Sequence, residues 1–141
     1  MARHAALLLS LLVVGCEPDS DGPLLRVDNA WIRTPVADRT VTAGYCEITN
    51  TGPTPVAITG FTAEGLRVEI HETIDEGGMM RMRPVPRLHL APGETASLAP
   101  GGKHLMLFDF DPNLESARIR ATIDGGGGHW IVFEVRNEGW R

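Results

Sequence analysis

Leu66-Arg67-Val68-Glu69-Ile70-His71 alternates apolar with polar residues, and a period of two is the pattern of a strand that buries one face. Leu66, Val68 and Ile70 point inward on this reading, which leaves His71 on the opposite, accessible face. The chain continues as Glu72-Thr-Ile-Asp-Glu-Gly-Gly-Met79-Met80-Arg-Met82, predicting a turn at 75–78 and a short strand at 79–83. Pro84 and Pro86 demote the residues after that strand to an edge or a connection. Gly101-Gly-Lys-His104-Leu-Met106 then opens a strand over 104–110. His104 and Met106 are two residues apart, as are Met80 and Met82, so each pair shares one face of its strand. Three short strands can thus offer donors from one edge, with no helix.

Outward from this segment the pattern is strands and turns throughout. Alternation predicts strands at 24–33, 42–49, 56–61, 66–73, 95–98, 117–123 and 129–136, with Asn50-Thr-Gly-Pro-Thr-Pro55 and the four glycines 125–128 as turns. In the last strand Ile131, Phe133 and Val135 share a face. Regular short strands broken by Gly and Pro indicate an all-β sandwich or barrel. At 141 residues the chain is one domain, large enough for a core without disulfide staples.

Residues 1–16 read as an export leader: Arg3 and His4, an apolar run over 5–14, then Gly15-Cys16. The run is shorter than the roughly 20 residues a membrane-spanning helix needs. Val13-Val-Gly-Cys16 resembles a bacterial lipobox, in which the Cys becomes the lipidated first residue of the mature protein. Glu17-Pro-Asp-Ser-Asp-Gly-Pro23 is polar and turn-rich, a flexible tether, and 24–141 is the folded domain. Formal net charge is −5; loss of Arg3 with the leader leaves 12 basic against 18 acidic residues, or −6. No basic stripe exists to neutralise phosphates, which argues against a nucleic-acid binder.

Four of the five Met fall within 71–106, and the fifth is the initiator. A single Met in an apolar run is more often core filler, but several Met interleaved with His make a donor set. Imidazole nitrogen and thioether sulfur are neutral, and the thioether selects soft ions, chiefly Cu(I); hard Mg²⁺ or Ca²⁺ would not choose it. Cys46 alternates with Gly44 and Ile48 and is expected in the core. A blue-copper electron carrier needs a Cys thiolate beside its His ligands, and no Cys lies near His104 or Met106. Enzymatic signatures are missing too: there is no phosphate cradle before a helix, no nucleophile elbow and no His-Glu-x-x-His. Glu69, Glu72, Asp75 and Glu76 read as solvated charges whose field favours a cation. His89 and His129 read as ordinary exposed or capping residues.

At these residues the chain resembles a family, the PCu(A)C periplasmic copper chaperones. The pattern is His71, ten residues, Met82, twenty-one residues, His104, one residue, Met106, and the similarity covers most of the chain after about residue 24. Members often carry a Met two residues beyond the first His, where this chain has Thr73; Met79 or Met80 is the available substitute. The resemblance implies a cupredoxin-like or immunoglobulin-like β-sandwich. It also implies delivery of copper to cytochrome c oxidase, often alongside a thioredoxin-like assembly factor. Composition and spacing identify neither acceptor.

The expected site is therefore His71, Met82, His104 and Met106, with Met79 and Met80 as auxiliary donors, holding Cu(I) or, through the imidazoles, Cu(II). Outside the cytoplasm thiols are oxidised to disulfides, whereas thioethers stay available and release the ion to a thiolate acceptor. The function expected is a periplasmic metallochaperone on a lipid anchor at Cys16, not an enzyme. Two rivals stand beside it: a periplasmic copper buffer, and an interaction lipoprotein whose Met patch binds a protein partner.

Overall fold

The computed structural model describes residues 25–37 and 39–138. The expected leader with Cys16, the tether 17–23 and Leu24 lie outside them. The described residues form ten strands: β1 (Leu25–Arg33), β2 (Thr42–Asn50), β3 (Val56–Ala63), β4 (Leu66–Glu76), β5 (Met79–Pro84), β6 (Leu88–Leu90), β7 (Thr95–Leu98), β8 (Lys103–Phe108), β9 (Ser116–Ile123) and β10 (Gly128–Arg136). The all-β class expected from the sequence is the class found.

Seven strands close into a ring. The order β4-β8-β2-β1-β10-β9-β3 returns to its start because β3 also pairs with β4. Closure of this kind satisfies strand edges that an open sheet leaves bare. β5 extends the sheet beyond β4, β6 pairs with β3, and β7 lies beside the second half of β2. The interior is filled by alternate side chains, among them Ile32, Ile48, Ile58, Leu105, Leu107, Ile119 and Phe133, each without solvent exposure. Ile70 of β4 is buried with them, as the alternation required. Cys46 joins the same cluster.

Three local features depart from the pattern, each with a physical cause. β4 runs on to Glu76 because the turn is only Gly77-Gly78, with φ of 66° and 86°; two positive φ values make the tight hairpin turn whose twist matches its strands. β8 ends at Phe108, not at 110, because Asp109 turns left-handed (φ 61°). Phe110 then packs inside, its N–H bonded to the Thr40 carbonyl at 2.8 Å. In β1 a bulge between Asp28 and Trp31, with Asn29 at φ 50°, inserts one residue against β2. A one-residue insertion reverses which face each later side chain takes. Leu25 therefore points inward before the bulge and Ile32 after it, while Trp31 and Arg33 emerge on the outer face.

The loop after β2 hangs on Asn50, which is fully buried. Its amide nitrogen donates to the carbonyls of Thr54 (2.7 Å) and Leu90 (3.1 Å), and its side-chain oxygen accepts from the Gly52 N–H at 3.0 Å. A buried amide is tolerated because its hydrogen bonds are made inside the protein. Asn50→Ala leaves those groups unpaired and is expected to lower stability by about 2–4 kcal/mol in urea unfolding.

Candidate metal centre

The sheet register decides which side chains meet. On the outer face of β4, His71 stands directly opposite His104 of β8, and Glu69 stands opposite Met106. On the other side of β4, Thr73 faces Met82 and Asp75 faces Met80. Period two then puts Glu69, His71, Thr73, Met80, Met82, His104 and Met106 on one face. The histidines are central, with Met82 diagonal on one side and Met106 on the other. Met79 pairs with Glu76 at the hairpin end and belongs to the opposite face.

Burial grades this row. His104 is 4% exposed, whereas Met79, Met80 and Met82 on the outermost strand are about three-fifths exposed (61%, 64% and 59%). The His71 side chain is 16% exposed, less open than its strand face alone suggested. Met82, His104 and Met106 line one cleft of about 710 Å³. Its other wall is made by Arg33, Thr34, Pro35, Val36, Arg39 and Val41, with Tyr45, Pro100 and Gly101. The Tyr45 ring lies 6.5 Å from that of His104, centroid to centroid, and itself packs on Trp31 at 4.6 Å. The bulge in β1 brings Arg33 to this wall and Trp31 against its Tyr45, a contribution the alternation of the sequence did not reveal. The break in phase between Val27 and Ile32 was the available signal.

The two imidazoles are 6.3 Å apart between centroids, with planes inclined at 47°. Two imidazoles sharing one ion through metal–nitrogen bonds of about 2 Å stand with centroids roughly 5–6 Å apart. The observed spacing is slightly beyond that range, so the rings would have to approach by a few tenths of an ångström to share one ion. Nδ1 of His104 lies 3.1 Å from the Gly102 carbonyl, and Nε2 of His71 lies 2.9 Å from a Glu69 oxygen. The other Glu69 oxygen pairs with Arg67. The hydrogen bond from His71, and after it that from Arg67, holds the Glu69 carboxyl below the usual carboxylate range against an opposing desolvation. Nδ1 of His71 is buried with no hydrogen-bond partner among the described residues. An unpaired buried nitrogen is the kind of group an ion would satisfy.

Among the described residues no three His, Cys, Asp or Glu converge on one point suited to a metal. The remaining soft side chains on this face are the thioethers of Met80, Met82 and Met106. The carboxylates are engaged elsewhere: Glu72 with Lys103 (2.9 Å), Glu76 with Arg81 (3.0 Å) and Arg83, and Asp75 with the Gly78 N–H (2.7 Å). This is a solvated network, not an acid–base pair. His89 is exposed and His129 half-buried.

An all-β ring of this kind is the fold of PCuAC domains, which bears out the resemblance drawn from the sequence. A copper-bound PCuAC domain from PmoF2 matches with a TM-score of 0.64 at 21% identity, covering 81% of this chain and 93% of that domain. The apo solution structure of DR1885 from Deinococcus radiodurans matches with a TM-score of 0.63 at 20% identity, over 98% and 95% of the two chains. The chain belongs to the LpqE-like lipoprotein family, which it matches over residues 25–117. It is also 29% identical over 131 residues to Lxx21020 of Leifsonia xyli subsp. xyli (strain CTCB07), named as a lipoprotein, with 84% of this chain and 76% of that one covered. The family is described as one of lipoproteins, not as a class of enzyme.

Cys46 is 2% exposed, and burial, with a smaller contribution from Glu47, pushes its thiol up to about 12. Because the folded value is raised, the unfolded chain releases this proton first; the contribution to stability is complete below about pH 9 and is lost as pH rises towards 12. The thiol is expected to resist iodoacetamide at pH 8 in the native protein and to react promptly in urea, as mass spectrometry of the alkylated chain would register.

Proposed function

We propose that this protein is a copper carrier that binds Cu(I) through His71, Met82, His104 and Met106 and hands it to a cuproprotein outside the cytoplasm. The observation that carries this reading is the direct opposition of His71 and His104 on β4 and β8, with Met82 and Met106 on the same face. Imidazole and thioether are uncharged, so they hold a monovalent ion without the strong grip of thiolates. The exposed Met80 is an auxiliary donor at the mouth of the face, where an incoming ion or an acceptor arrives first, whereas Met79, expected beside it, lies on the opposite face of β5. Cu(II) suits the two imidazoles without the sulfurs. A carrier of this kind performs no bond-making chemistry and is not an enzyme.

The acceptor we favour is the copper site of cytochrome c oxidase, reached directly or through a thioredoxin-like assembly factor. Lipidation at Cys16, with residues 17–23 as a tether, would hold the domain at the cell envelope on the periplasmic side, where such acceptors are assembled. The family's lipoprotein description supports that localisation.

The test is an anaerobic Cu(I) titration against a competing chelator. One ion per chain is expected, and Met82→Leu combined with Met106→Leu should weaken binding by roughly a hundredfold or more. Unchanged binding in that double variant would remove the proposed site. Peroxide treatment converts thioether to sulfoxide, so oxidised protein is expected to lose Cu(I) affinity while its circular dichroism is unchanged. A copper buffer differs from a carrier in transfer: loaded protein mixed with an apo oxidase copper domain should pass its ion across, as the acceptor's absorption band would report.

A further inference from the structure

We propose that Glu69 is a positioning residue that fixes the tautomer of His71, so that the two histidines meet the ion through opposite ring nitrogens, Nδ1 of His71 and Nε2 of His104. This deepens the copper reading and rests on it. Glu69 and His71 are two apart on β4 and so share its outer face. One carboxylate oxygen of Glu69 is 2.9 Å from Nε2 of His71 and the other is paired with Arg67. An ionised carboxylate only accepts hydrogen bonds, so Nε2 must carry the proton and donate it. In a neutral imidazole the lone pair then resides on Nδ1.

That nitrogen is the buried one without a hydrogen-bond partner among the described residues. The second histidine has the converse arrangement. Its Nδ1 is 3.1 Å from the Gly102 carbonyl, which also only accepts, so Nδ1–H donates and the lone pair falls on Nε2. Metal-bound histidines characteristically donate their other ring N–H to a carboxylate or a backbone carbonyl. Here one partner of each kind is already in position before any ion arrives. Glu69 is not itself a ligand on this account, because both its oxygens are committed to Arg67 and His71.

The experiment is long-range proton–nitrogen correlation on the whole chain labelled with ¹⁵N-histidine, before and after one equivalent of Cu(I) under argon, with affinity measured in parallel. The apo protein should show His71 protonated on Nε2 and His104 on Nδ1, and copper should shift Nδ1 of His71 and Nε2 of His104. Glu69→Gln retains an accepting oxygen and should keep the tautomer, with affinity within about threefold of the unaltered protein. Glu69→Ala should mix the His71 tautomers, leave the His104 signals in place, and weaken Cu(I) binding by about 10- to 100-fold.

Binding of copper at Nε2 of His71, or a Glu69→Ala protein with the original tautomer and affinity, would overturn the role of Glu69 and leave the copper site standing. A Glu69→Gln protein as weak as Glu69→Ala would overturn it too, pointing to the carboxylate as a ligand. No Cu(I) binding by the unaltered chain would overturn the copper reading and this inference together.

Discussion

The antiparallel pairing of β4 with β8 is the constraint on which the rest of the molecule depends. Its register sets Ile70 against Leu105 on the inside and His71 against His104 on the outside. A slip of one residue would exchange these faces, sending imidazoles into the apolar interior and isoleucine and leucine into water. Both costs act together, so the core that stabilises the ring also holds the two histidines opposite one another. The two histidines need no dedicated scaffold of their own; they occupy the side of the sheet that the core does not use.

Around that pair the site is graded from rigid to mobile chemistry. His104 is buried and tied to the Gly102 carbonyl, and His71 is tied to Glu69. The methionines of β5 stand exposed on the outermost strand, joined to β4 by a glycine turn. A thioether on a flexible chain exchanges partners readily, whereas an imidazole held by a second hydrogen bond presents a fixed lone pair. His104 lines the cleft from a buried position, and Met82 lines it from an exposed strand.

The acidic balance of the chain acts locally through pairs, not as a broad field. Glu72, Glu76 and Asp75 are each engaged by Lys103, by Arg81 and Arg83, or by the hairpin turn. On the face that carries His71 and His104, Glu69 is the carboxylate that bonds to a histidine. Its place two residues before His71 was visible in the sequence, but its contact with that ring was not: whether a carboxylate and an imidazole on the same strand touch depends on side-chain directions that alternation does not specify.

The sequence by itself determined the class of fold, nearly all the strands, the inward face of β4, the burial of Cys46 and the His/Met pattern. These rest on local periodicity and on residue chemistry, which need no knowledge of distant neighbours. Closure of the ring through β3 and β4, the pairing of His71 with His104, and the cleft wall delivered by the β1 bulge were decided only in three dimensions. They depend on which strands become neighbours and in what register, and a long-range pairing leaves no mark on the spacing within either strand.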